Sequence, residues 1–170
     1  EQPIEIEAIA DAAKQALTSA IHDLNIARNE EGTKLKQIIQ DKTDHIKKLI
    51  QDVKPLVPTI ISSYETKLRD RIKQLDIEIA DDRIAQEIVM HSTKVDVEEE
   101  IQRLEAHTSS LLKILESKDA QGKKLDFLMQ ELNREANTLG SKSTNIGTTN
   151  IAMELKVAIE QIREQVQNIE

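Results

Sequence analysis

Apolar residues in this chain recur at alternating three- and four-residue steps almost from end to end, the spacing of side chains that share one face of a helix. Pro3 sits where a first helical turn tolerates it, so a helix is predicted from about Ile4. Ile6, Ala10, Ala13, Leu17, Ala20 and Leu24 then form a heptad-like seam. In that register Arg28 and Glu31 fall on the seam, followed by Gly32, so either the helix breaks or a buried polar pair interrupts the seam. The seam resumes through Leu35, Ile39, Lys42, Ile46, Leu49 and Val53. Lys54-Pro55 ends it, because proline disfavours helix in the residue before it. With Pro58 close behind, residues 54–58 read as the tip of a hairpin whose return helix carries Val57, Ile61, Tyr64, Leu68, Ile72, Leu75 and Ile79. Each limb would be roughly 30 Å long at the helical rise.

Four shorter helices follow. Asp81 and Asp82 can cap one running from Arg83 to about His91, a histidine read as an ordinary helix end. Asp96 opens the next, with Glu99 completing a capping-box pattern and Val97, Ile101, Leu104, Leu111 and Leu115 as its stripe. Gln121-Gly122 punctuates before Lys124–Ser143, where Leu125, Leu128, Met129, Leu132, Ala136 and Leu139 share a face and Gly140 offers a left-handed stop. A polar loop, Ser141 to Gly147, leads to a last helix from about Thr149 to Asn168 with Ile151, Leu155, Ala158, Ile159, Ile162 and Val166 inward.

The polar positions beside these stripes carry the candidate chemistry. Glu131 and Glu135 stand one turn apart with Arg134 between them, while Asp126, Gln130, Asn133 and Asn137 form a second row of a kind that rarely serves a helix interior. Phe127 falls among the polar residues, between Arg134 and Glu131, and suits a stacked base, a subunit contact or a covering loop equally. On the preceding helix Glu98, Glu99 and Glu100 suit the helix dipole by themselves. Glu100, Arg103 and His107 continue as one row along the flank of the stripe, a set that can bind phosphate and move a proton, although a solvated surface row looks the same.

Composition narrows the reading. Tyr64 and Phe127 are the sole aromatics among 170 residues, so the core is aliphatic; three prolines and four glycines fit long helices better than a β-sandwich. No cysteine means no disulfide and no thiolate metal site, in keeping with a cytoplasmic setting. No apolar run reaches the length of a membrane span. A net charge of −8 argues against holding nucleic acid by bulk charge. The charge is uneven, however: Lys34–Lys73 has ten Lys/Arg and five Asp/Glu, so +5, and the remainder has thirteen and twenty-six, so −13. The basic segment suits phosphates locally, or is simply a solvated helix.

No G-x-x-x-x-G-K-S/T phosphate loop, G-x-G-x-x-G turn, H-E-x-x-H pair or G-x-S-x-G elbow occurs. What remains suits phosphodiester chemistry. Glu131 and Glu135 can hold magnesium or manganese, Arg103 and Arg134 can clamp phosphate oxygens, and His107 can act as acid or base. Paired carboxylates beside arginines are also commonplace on helices.

The runs DVEEEIQRLEAH (Asp96–His107), GKKLDFLMQELNREANTLGSKS (Gly122–Ser143) and IREQVQNIE (Ile162–Glu170) closely resemble the C-terminal half of the bacterial YicC/YloC family, and Arg28, Glu31 and Gly32 match its R-x-x-E-G pattern. The resemblance implies a cytoplasmic endoribonuclease that uses a divalent cation and assembles as a ring, expected to be a hexamer, through the helical arm and an N-terminal domain. The S-M-T-G/A-Y-like opening of that domain is not in this sequence. From the family pattern Asp96, Glu99, Glu100, Arg103 and His107 carry over, with Asp126, Gln130, Glu131, Asn133, Arg134, Glu135, Asn137 and Lys142. On that resemblance Glu100 is expected to join Glu131 and Glu135 on the ion, and Asn133, Asn137, Lys124 and Lys142 are expected to position RNA.

The expected fold is therefore all-α: a long antiparallel coiled-coil hairpin arm over 1–80 and a helical bundle with the catalytic motifs over 81–170. The expected activity is metal-dependent RNA cleavage, which requires the flanks of helices 96–117 and 124–139 to face each other. Two other readings stay open, a scaffold that oligomerises through the arm and an RNA-binding protein that does not cut.

Overall fold

A computed structural model of the chain describes residues 6–117 and 121–167, with the backbone alone at Ile6 and Ala8. The expected helix starts at Pro3 and Ile4, the terminus at Asn168 and the last residues of the 162–170 run lie outside them. The described residues form six helices and no strand: α1 (Ile6–Val53), α2 (Leu56–Gln74), α3 (Asp81–Val95), α4 (Glu98–Leu115), α5 (Gly122–Lys142) and α6 (Ile146–Val166). The all-α reading holds.

The first helix runs 48 residues without interruption, straight through Gly32. Neither expected outcome at that point occurs, since Arg28 and Glu31 are both exposed. A glycine costs a helix interior only about 1 kcal/mol relative to alanine, which strong helix formers on either side offset.

Compactness divides the chain into a unit that ends at Ile38 and a unit of Ile39–Glu170. In the first, every described side chain from Glu7 to Lys34 is exposed, including the seam residues Leu17 and Leu24. The second holds the core. Ile39, Ile46, Leu49, Ile50 and Val53 of α1 join Ile101, Leu104 and Leu111 of α4, Leu128, Met129, Leu132 and Leu139 of α5, and Leu155, Ile159 and Ile162 of α6 in one aliphatic cluster. The sequence pattern pairs this stretch of α1 with the return helix; in the structure it shares one core with α4, α5 and α6, and Val57 of the return helix packs against that core. A heptad seam records which face is buried, not what buries it. Lys42 at the seam's edge donates to Gln161 Oε1 at 2.6 Å, and Lys54 pairs with Glu105 at 2.6 Å, so polar ties clamp α1 to α6 and α4.

Helix α2 packs on α3 and ends at Gln74 rather than continuing to Ile79. Asp76 adopts a positive φ of 50°, a left-handed conformation short polar residues tolerate, and Leu75, Ile77 and Ile79 are exposed beyond the helix. Helix α3 continues past His91 to Val95, so that histidine is no helix end. It stacks on Tyr64 of α2, ring centroids 3.6 Å apart and 10° from parallel. Gly140 is likewise inside α5, where a Cβ would touch Ala152 of α6 at 3.5 Å. Helix α6 begins at Ile146, three residues early, because Asn145 accepts from Gly147 N at 2.6 Å and caps it.

Candidate active site

Helix α4 starts where Asp96 Oδ1 accepts the Glu98 amide at 3.0 Å. The expected capping box is only half made, since the Glu99 carboxylate turns forward to Arg103 instead of back to Asp96. Behind this start the stripe Ile101, Leu104, Thr108 and Leu111 is buried, and the Thr108 hydroxyl is satisfied by the carbonyls of Leu104 and Glu105 at 2.8 and 3.0 Å. The facing stripe on α5 is also buried, from Leu125 through Met129, Leu132 and Ala136 to Leu139. Fully burying each large aliphatic side chain contributes about 1.5–3 kcal/mol, so the two stripes fix the rotation of both helices. That rotation turns their polar flanks toward each other.

Three contacts step up α4 and down α5, which makes the pair antiparallel. At the first, Lys142 Nζ donates to Glu100 Oε1 at 2.8 Å. At the second, Arg103 Nη1 donates to Glu135 Oε1 at 3.2 Å while its Nη2 reaches Glu99 at 2.5 Å. At the third, ligand atoms of His107, Glu131 and Glu135 all lie within 4.8 Å of one another. Glu135 is only 3% exposed and Glu100 6%, so both carboxylates are held in the wall of the site rather than in solvent. The hydrogen bond to Glu135, with the charges of Glu99 and Glu135, raises the Arg103 guanidinium above its ordinary pKa. Arg103 is thus a permanent cation beside the cluster.

An imidazole nitrogen and two carboxylate oxygens gathered this closely form a donor set suited to a divalent first-row metal such as manganese, and less so to magnesium, which prefers oxygen alone. Arg103 donates to Glu135 Oε1, so this carboxylate belongs both to the ion pair and to the cluster. The residues present therefore fit the implied ion.

The structure separates the sequence candidates into groups. His107, Glu131, Glu135 and Arg103 come together. Glu100, expected beside the two glutamates as a ligand, is instead engaged by Lys142, and its Oε2 is sealed from solvent without a hydrogen-bond partner. Arg134 is exposed and makes no ion pair among the described residues. Lys124 is exposed two turns before Glu131 in the same row of α5. Asn133 and Asn137 lie about 160–240° around α5 from Glu131 and Glu135 at the helical rotation, on the far flank. There Asn137 donates to Asn133 at 3.0 Å and Gln130 to Asp126 at 2.9 Å, so these amides satisfy one another. Phe127 is 62% exposed and stands one turn before Glu131 on the site's side of α5. A ligand role for His107 was not visible in sequence, because spacing within α4 says nothing about what α5 brings opposite.

The two antiparallel helices thus bring together a His-Glu-Glu cluster, with donor atoms that could hold a metal ion, and a guanidinium fixed beside it. The family described as "Endoribonuclease YicC-like, C-terminal" matches residues 53–170, which include every one of these groups. A Haemophilus influenzae protein named "Probable endoribonuclease YicC" is 39% identical over 169 residues, covering 99% of this chain and 59% of that protein. A Clostridioides difficile protein of the same name is 41% identical over 159 residues, covering 92% of this chain and 54% of that protein. The chain belongs to the YicC-like family and spans little more than half the length of these relatives.

Proposed function

We propose that this chain carries the catalytic helices of an endoribonuclease, cleaving RNA phosphodiester bonds with a divalent cation at His107, Glu131 and Glu135. The observation that carries the reading is the convergence of those three side chains across the α4–α5 seam, beside Arg103. A bound manganese or magnesium ion would supply Lewis-acid polarisation of a phosphoryl oxygen. The chain's own part is to place negative and positive groups at fixed positions before substrate arrives. Arg103, held by Glu99 and Glu135, presents its fixed charge to the nonbridging oxygens, where negative charge builds in the transition state. Glu131, half-buried and unpaired with any cation among the described residues, is the carboxylate placed to accept a proton from the attacking group. Arg134, Lys124 and Lys142 lie along the same side of α5 and steer the strand, and Phe127 offers an exposed ring on which a base can stack.

A structured small RNA incubated with the protein and manganese tests this. New RNA ends that disappear with EDTA and return with added manganese are the expected result. RNA left intact in every condition by clean protein sinks it.

One observation favours a second role alongside the first. Leu17 and Leu24 of the seam, and Ile21 beside them, are exposed, at 62%, 56% and 50%. An amphipathic helix with its apolar stripe in water suits self-association, and a homo-oligomer, a hexamer on the family resemblance, is the assembly we propose. Light scattering across a dilution series reports it. No described helix is long and apolar enough to cross a membrane, and we place the activity in the cytoplasm, where RNA is found.

A further inference from the structure

A second polar groove lies apart from the His107 cluster, among α2, α3 and the turn before α6. It is open, about 130 Å³, and lined by Ser63, Tyr64, Lys67, His91, Thr144 and Asn145. The groove has room for a base or a phosphate, not for a folded partner. Three features set it apart from an ordinary surface crease. It takes one of the two aromatic residues in the chain, Tyr64, and stacks it on an imidazole, with the phenol fixed by Glu87 at 3.0 Å. The Nδ1 of His91 is sealed from solvent and has no hydrogen-bond partner. Lys67, from the basic stretch 34–73, is exposed and forms no ion pair among the described residues.

We infer that this groove binds a nucleotide of the RNA strand a few positions from the bond being cut. Lys67 holds the phosphate, and the Tyr64–His91 stack provides a flat π-surface for the base. The hydroxyls of Ser63 and Thr144 and the amide of Asn145 are hydrogen-bonding groups of the kind that meets a ribose hydroxyl. The α5 row and the turn after it link the two sites along the chain. From Glu135 the α5 row climbs seven residues to Lys142, roughly 10 Å, and Thr144 follows two residues later. Arg103 and Lys142 are thus passed before the groove is reached.

The inference rests on the proposed RNA cleavage, and binding measured without cleavage separates the two. Anisotropy titrations of a labelled single-stranded oligoribonucleotide in EDTA compare the wild type with Lys67→Ala, Lys67→Arg, Tyr64→Leu and Tyr64→Phe. Lys67 is exposed, so its replacement leaves the fold intact. Lys67→Ala should weaken binding about five- to tenfold and lower the slope of log affinity against log salt by about 0.7, the loss of one phosphate contact on a single strand. Lys67→Arg should restore both. Tyr64→Leu should weaken binding about tenfold by removing the stacking face, with Tyr64→Phe near the wild type. Unchanged affinity and salt slope in Lys67→Ala overturn the groove alone, provided the wild type still cuts RNA. Normal cutting by His107→Ala with Lys67-dependent binding overturns the cleavage site and leaves the groove standing. A mononucleotide that competes as strongly as the strand overturns the strand in favour of a free nucleotide.

Discussion

Helix α5 carries two polar rows that look equally purposeful in sequence, and the structure gives them opposite fates. Glu131, Glu135 and Lys142 face α4, where Arg103, His107 and Glu100 complete them. Asp126, Gln130, Asn133 and Asn137 have no such wall and bond along their own helix, with Asp126 4.0 Å from Arg163 of α6. A polar row becomes a site when a second element holds complementary groups at bonding distance in a place partly closed to water. Without that, its groups pair locally, for about 0.2–0.5 kcal/mol each.

The hardest way to break the comparison is to remove the cluster itself. His107→Ala and Glu131→Gln should each lower RNA cleavage by about 10²- to 10⁴-fold, with helicity by circular dichroism unchanged. Cleavage at the wild-type rate by both variants would mean that the convergence on the α4–α5 seam has no catalytic meaning. Arg103→Ala should lower the rate about a hundredfold by taking away the fixed charge, and Arg103→Lys should recover only part of it, since lysine cannot bridge Glu99 and Glu135 as a fork does.

Next in size is the Glu100–Lys142 pair, which belongs to the same flank but to its architecture. Lys142→Met leaves the Glu100 carboxylate buried with neither oxygen paired, at a cost of about 2 kcal/mol, or a fall in Tm of roughly 4–8 °C for a domain of this size. The double change Lys142→Met with Glu100→Leu should recover most of that stability, because removing both charges spares the unpaired one. If Lys142→Met melts with the wild type, the pair contributes nothing.

Much of this molecule was legible before the structure. Element types, the stop at Lys54-Pro55 and nearly every core residue of α4, α5 and α6 follow from the spacing of Leu, Ile, Val, Met and Ala, because burial acts on one face of a helix at a time. The facing of α4 and α5 was a stated requirement of the chemistry, and it is met. What spacing lacked was partner identity. The seam at Ile39–Val53 could not say that α4–α6 bury it, nor could Leu17 and Leu24 say that nothing in their own unit does. The same limit hid the Lys142 contact to Glu100, because it depends on where α5 ends. His91 was passed over because its partner, Tyr64, is 27 residues away on another helix.

The smallest effect sharpens the comparison from the other side. Asn133 and Asn137, candidates for RNA contact in sequence, sit on the flank that α4 does not face. Replacing Asn137 by Ala removes one exposed i,i+4 hydrogen bond, about 0.2–0.5 kcal/mol, and alanine's better helix propensity offsets part of that. Cleavage rate, RNA affinity and Tm of Asn133→Ala and Asn137→Ala should all stay within error of the wild type. A loss of RNA affinity in either one, at unchanged Tm, would show that the strand crosses both flanks of α5, and the division between a walled site and a self-satisfied surface would have to be given up.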